Sequence, residues 1–574
     1  MATAGAFNTG HYMTVTGAEA IGGFGGGGGV GANAGYDANN VYWGPGAGGA
    51  GHDGGFAYAD AVATTNDTAQ AIALGGVGGN SGVPGRNLDG SYGGAGNQGG
   101  VGGFATATSV NDNSFSFATA TSTAIGGAGG VSYGAGFAGG AGGLVTNTKS
   151  RSTAAAGESI LGRAATAMVL QQGGAGGLGR DGATGGVGAA STAVNAVTGY
   201  TNGGVLTLSQ TAIAGAGGSS DKAAGGAGGN AVSSLTFSDN GSVTKSATID
   251  ATVTATGGAG GTGGTVGAAG TGVATLVVVG AGAVNAASVA TGGSGMLLAG
   301  TAVASTTVTG TSGAYAASAQ TSLSAGQLIT SVSSTTGGAV NGESLATATA
   351  GIGGLPASVS TVGQGVAFIE GAPSSTGVSA VLTANANIAA AFGASPVFFG
   401  IAELGGGHST GAAATQTVTS TVDESVDLTK LKAPKDLMVG FYQGAAVGGG
   451  VSSVTFDLYA DGVDVDHQTF ASAAAAQAYF TNNAVDLGSL ASGPLSGSTL
   501  SLQATMSVTT TAAGSGFFGS MIIGDPPVAS HGVSPNAFVQ AMASMGGGSG
   551  AVVPIGSSMA NVTPIALATP THAA

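Results

Sequence analysis

Bulky and small residues alternate along much of the first half of the chain. Phe104, Thr106, Thr108 and Val110 form one such series, and Phe115, Phe117, Thr119 and Ile125 form the next, with Ala and Ser between them. A period of two is that of a β-strand with one buried face. Two further pairs of alternating segments flank polar turns: FAYADAVA and TAQAIALGG around TTND, and AVSSLTF and TKSATIDATVTATGGAGG around SDNGSV. In the last turn Asn240-Gly241 is the dipeptide that favours a tight hairpin. Glycine clusters of the form GGxGG open at Gly22, Gly75, Gly126, Gly173, Gly225 and Gly257, at first about every fifty residues, a period that signals a repeat architecture. The predicted unit is a β-hairpin followed by a glycine block.

A glycine block can be a slack linker, but its regular recurrence favours an ordered element. A polyproline-II helix has three residues per turn and rises about 3.1 Å per residue. GGxGGxGG then places x on one edge and leaves two edges of bare backbone, so neighbouring helices can touch through main chain alone. The rise nearly matches that of a strand, about 3.3 Å, which lets the two elements stack in register.

From these patterns the fold is expected to be all-β: glycine-rich layered repeats of hairpins and polyproline-II-type helices, followed by a C-terminal β-sandwich or jelly roll. Residues 1–265 hold the repeats, and 266–363 form a nearly uncharged Ala/Thr/Val-rich strand region. Residues 364–525 read as the sandwich, built from runs such as VSAVLTA, PVFFGIAEL and SVTFDLYADGVDVDHQTF. Asp461-Gly462 marks a hairpin there, and Ala471–Phe480 is the one clear helix. Residues 526–574 read as a mobile tail and possible export signal.

Composition sharpens this picture. Of 574 residues 118 are glycine and only 6% are charged, so buried layers must be thin and rich in alanine. The net charge of −15 leaves no basic footprint for nucleic acid or an anionic membrane. Without cysteine, stability rests on backbone bonding and packing. The apolar run Val273–Val284 is too short and glycine-rich to span a bilayer, which takes about 20 residues, and reads as buried strand. The first residues lack a basic start and an apolar stretch, so export would use a route that needs no N-terminal signal peptide. Between Ala251 and Gly342 no residue is charged, and strands without charges are prone to associate.

Candidate chemistry is sparse. GHSTG at Gly407–Gly411 matches a nucleophile elbow with Ser409 as nucleophile and His467 or His531 as base, but the segment that follows alternates like a strand where an elbow needs a helix. Asp53 and Asp181 sit in near matches to a calcium nonapeptide, without tandem neighbours. In DLYADGVDVD, Asp457, Asp461, Asp464 and Asp466 crowd one hairpin; alternate positions would turn Asp464 and Asp466 to one face, where calcium could bridge them, and Asp461, Asp464 and Asp466 are the candidate ligands. No other cofactor is expected.

The GGAGG blocks over roughly the first 270 residues resemble the glycine-rich arrays of mycobacterial PE_PGRS surface proteins, without that family's helical N-terminal domain. VDLTKLKAPKDLMVGFYQG, VTFDLYADG and NNAVDLGSLA resemble C-terminal domains of large alphaproteobacterial secreted repeat proteins. The resemblance implies export and no catalytic residues. The leading expectation is an extracellular structural protein of a bacterial surface or matrix that self-associates into fibres or a layer. The alternative is an adhesin whose sandwich binds cell-surface glycan on a glycine-rich stalk, and the remote one a hydrolase at Ser409.

Overall fold

A computed structural model describes residues 1–8, 15–64, 68–113, 117–154, 164–294, 302–310, 313–321, 328–336, 363–371, 375–393, 396–407, 415–428, 437–487, 499–512 and 514–526. With 51% strand and 6% helix, the class is all-β, as the alternation predicts. Two sheets lie face to face. Sheet B has 13 strands in one ladder; sheet A has a five-stranded and a nine-stranded part. The two parts of sheet A adjoin where Asn195, at φ 45°, interrupts one extended run into Ser191–Val194 and Val197–Thr201.

The strands of each unit do not form hairpins, and here the sequence expectation is corrected. Ala57–Ala63 lies in sheet A and Thr68–Leu74 in sheet B. Each pairs in parallel with its counterpart one repeat further on: Ala57 opposite Ala105, and Thr68 opposite Thr119. The same holds around Asn240-Gly241, where Ala231–Ser238 and Thr248–Thr256 belong to opposite sheets. The reason is the single small-residue face on each strand. Folding both into one hairpin would leave that face uncovered, whereas crossing to the other sheet lets the two faces cover each other. Ala59, Ala61 and Ala63 thus meet Ala69, Ala71 and Ala73, all fully buried. Parallel partners need a long crossover, and the glycine blocks supply it.

Those blocks are stitched by main chain at every third residue. The N–H groups of Gly22, Gly25, Gly28 and Gly31 donate to the carbonyls of Leu74, Val77, Asn80 and Val83 at 2.7–2.9 Å. The next glycine of each triplet bonds a tract running the other way: Gly76 N–H to Gly55 O at 2.9 Å, Gly103 to Gly76 at 2.7 Å, Gly127 to Gly103 at 2.9 Å. The third residue points outward, as Phe24 at 84% and Val30 at 76% exposure show. Inside the stack a side chain on either inner glycine is excluded, since a Cβ would lie 2.0 Å from Gly76 O at Gly54 and 2.7 Å from Gly23 N at Gly55; at Gly23 and Gly29, in the first tract, the second position is open.

The core thickens along the chain. Alanine fills the first rows; Leu206, Leu208, Leu235, Ile249 and Leu276 fill the middle. Gly272–Val279, inside the apolar run, buries only alternate residues, as a strand with one open face does. Beyond Leu328–Thr336, sheet A continues through Gln416–Asp427 into antiparallel strands, Thr499–Thr510, Val451–Ala460 and Val463–Phe470. Sheet B continues through Gly363–Gly371, Val397–Gly407, Gly516–Asp525, Met438–Val447 and Asn483–Asp486, also antiparallel. Here Phe441, Phe456, Phe480 and Phe517 pack edge to face, with centroid spacings of 5.1–5.8 Å.

The helix expected at Ala471–Phe480 runs from Ala473 to Tyr479, its N-cap Ser472 accepting the Ala475 N–H at 3.2 Å. VSAVLTA, read as a strand, is instead part of the helix Ser375–Ala384. Val378, Val381 and Leu382 all pack on the core, and their i, i+3, i+4 spacing is the helical stripe that the apparent alternation concealed. A second helix, Ala386–Phe392, buries Ile388 and Phe392 against Gly440, where a Cβ would meet Ile388 at 2.9 Å.

Candidate functional site

The acidic hairpin is formed by Val451–Ala460 and Val463–Phe470, joined through Asp461 and Gly462, both at positive φ (49° and 77°). That conformation matches the left-handed turn that Asp-Gly favours. Asp461 is turned to the neighbouring strand: its carboxylate accepts the Ser501 N–H at 2.8 Å, and its own N–H donates to Ser501 O at 2.7 Å. It therefore stands apart from the other acids.

Asp464 and Asp466 do not share a face. A β-bulge places Asp464 opposite Tyr459 and Asp466 opposite Leu458, with Val465 left over. One extra residue reverses the side-chain parity. Asp466 follows the buried Leu458 inward, where it accepts bonds from Tyr479 OH and from Gln468 Nε2, the latter at 2.7 Å. Burial holds its carboxyl above the usual range, and burial beside this carboxylate also raises Tyr479.

The bulge instead brings Asp464 together with Asp457 and His467. One ligand atom from each lies within 4.8 Å of the others. His467 Nδ1 bonds Asp457 Oδ1, and this bond and charge raise the imidazole above its ordinary value. Three donors of this kind could hold a divalent ion. Asp457 was noted in the sequence only as one of a crowd; the signal that would have selected it is the bulge, which composition does not announce.

Other predicted positions have ordinary partners. Asp53 Oδ1 accepts the Val101 N–H at 2.8 Å, fastening one glycine row to the next. Asp181, at φ 53° beside Gly182, forms a turn capped by the Asp221 carboxylate, which accepts the Asp181 N–H at 2.9 Å. Those donated bonds hold Asp221 below its usual range. Ser409, His408 and His531 lie outside the described residues, as does the expected tail beyond 526.

The far ends of the first glycine rows carry aromatic turns. Tyr36 and Tyr42 face each other across the short hairpin Gly35–Trp43, edge on at 5.6 Å. Trp43 lies on the bare backbone of Gly35, where a Cβ would be 2.8 Å from the indole. One row on, the Arg86 guanidinium sits 4.2 Å from the Tyr92 ring centroid and bonds Tyr92 OH at 2.9 Å. Among the described residues no helix is long and apolar enough to cross a membrane. No protein-family model matches the chain, and no curated protein or solved structure matches it either.

Proposed function

We propose that the chain is a non-catalytic structural protein of a bacterial surface or extracellular matrix, whose glycine tracts are polyproline-II-type helices layered beside the sheets as a rigid shaft. The antiparallel strands from 363 to 525 would close one end as a sandwich. One observation carries this reading: the tracts are bonded through main chain at every third residue, from Gly22 through Gly293. A three-residue period is that of the polyproline-II helix, and a tether would have no reason to keep it. Stability of this kind depends neither on disulfides nor on a thick core, which suits a chain with no cysteine and 118 glycines. Adjacent strands lie about 4.8 Å apart, so 13 strands make a body roughly 60 Å long, a suitable unit for a fibre or layer.

Negative-stain microscopy of the purified full-length chain tests the proposal. Stiff rods joined into fibres or sheets are expected; dispersed compact monomers at every concentration would end it.

A further inference from the structure

We infer that the outer face of sheet A, from the row Ser191–Thr201 to the strand Ala302–Gly310, is the surface through which two copies of this chain associate, back to back across a two-fold axis. The inference rests on the self-assembly reading above and names its interface.

The face is built of in-register ladders. Val232, Val273 and Val303 are opposite one another, and so are Thr236, Val277 and Thr307. Thr275 lies between them at the centre. These side chains alternate with the buried ones that meet sheet B, and they remain partly exposed. Among the described residues no element is layered over them. The result is a flat, β-branched surface of valine and threonine, the kind that interdigitates with a second sheet at a spacing of about 10 Å.

Charge selects the occupant. The chain carries −15, so two copies repel over most of their surface. None of the strands of this face contains a charged residue. The corresponding rows of sheet B differ, because Asp250 stands on their outer face, holding Asn285 Nδ2 at 2.7 Å. Sheet A is thus where like-charged copies can meet without placing carboxylates against each other.

Area agrees. Four rows about 4.8 Å apart and eight residues at about 3.3 Å give roughly 500 Å² per copy. Two such faces bury about 1,000 Å², the threshold for a specific interface. An isologous contact also closes on itself, leaving the rest of the shaft available for further assembly.

The absence of cysteine makes a direct test possible, since one introduced thiol is unique. In the full-length chain, Thr275→Cys is expected to give a covalent dimer with a short bismaleimide cross-linker, because sheets about 10 Å apart hold the two thiols beyond direct disulfide reach. Thr254→Cys on the outer face of sheet B and Phe7→Cys on the edge strand of sheet A are expected to remain unlinked. Val277→Lys should raise the dimer dissociation constant by sedimentation about tenfold or more, with the circular dichroism spectrum unchanged. Assembly that persists with linkage through Thr254→Cys or Phe7→Cys, but not Thr275→Cys, would overturn this interface and leave the structural reading standing. A chain that sediments as a monomer at all concentrations and shows no particles would remove both.

Discussion

Gly76 faces the carbonyl oxygen of Gly23 so closely that a Cβ on Gly76 would stand 2.0 Å from it. The two belong to neighbouring rows of the glycine tracts, so the row spacing is set by the lack of a side chain. Gly76→Ala is therefore expected to force the rows apart and cost about 1–3 kcal/mol, the range for overpacking. Gly27, on the outward edge, is the control: a Cβ there meets only Asn80 O at 3.7 Å. Gly27→Ala should be neutral or stabilise by up to about 1 kcal/mol through the unfolded chain. Urea unfolding of both variants measures the contrast. Equal effects would mean that triplet position does not matter.

Gln210 bridges the interruption in sheet A. Its Oε1 accepts the Ala196 N–H at 2.7 Å, and its Nε2 donates to Ala193 O at 2.8 Å and to Ser233 Oγ at 3.1 Å. The side chain is fully buried. Gln210→Leu keeps the volume but strands two main-chain groups without water. A loss of about 2–6 kcal/mol is expected, at about 1–3 kcal/mol per orphaned group. Hydrogen exchange should show the lost protection concentrated at Ala196.

These two sites separate what the sequence discloses from what it withholds. The triplet spacing at Gly22, Gly25 and Gly28 and the alternation in Ala57–Ala63 are local patterns, and each dictates its own geometry. Sheet assignment is not local. Whether Thr68–Leu74 pairs with Ala57–Ala63 or crosses to face it depends on where the glycine return delivers the next strand. The bulge at Val465 is equally silent, because a period-two pattern is unchanged by one inserted residue until the partner strand is known. That residue alone separates Asp464 from Asp466 and brings in Asp457 and His467. Gln210 could not be distinguished from an exposed polar residue in VLTLSQTAI, since its role exists only against Asn195.

Glu403, on Val397–Gly407, is a buried acid of the antiparallel region, opposite Ser520. Burial raises its carboxyl to about 7. The folded state thus favours the protonated form, and the sign follows. Below the unfolded value of 4.5 Glu403 costs nothing; the penalty grows as pH rises and levels off above about 7. At about 1.4 kcal/mol per pH unit it reaches roughly 3 kcal/mol. Glu403→Gln should therefore stabilise the chain by up to that amount at pH 8 and leave it unchanged at pH 4, as read by urea unfolding at the two values. A benefit equal at both would exclude titration of this carboxyl.

His467 also costs stability as pH rises, but by losing a favourable interaction, not by gaining a penalty. Asp457 raises the imidazole by hydrogen bond and charge, with smaller help from Asp464 and Asp466. The pair is therefore complete while the ring is protonated, and its contribution fades as pH rises through that elevated value. Asp457→Asn is expected to bring the His467 midpoint back toward the ordinary imidazole range, followed by its ring-proton shift in a nuclear magnetic resonance titration. Asp461→Asn should leave the midpoint in place, because Asp461 is engaged with Ser501. If both variants shift it equally, the field at His467 comes from the hairpin's total charge, and the bulge-made juxtaposition with Asp457 is not its source.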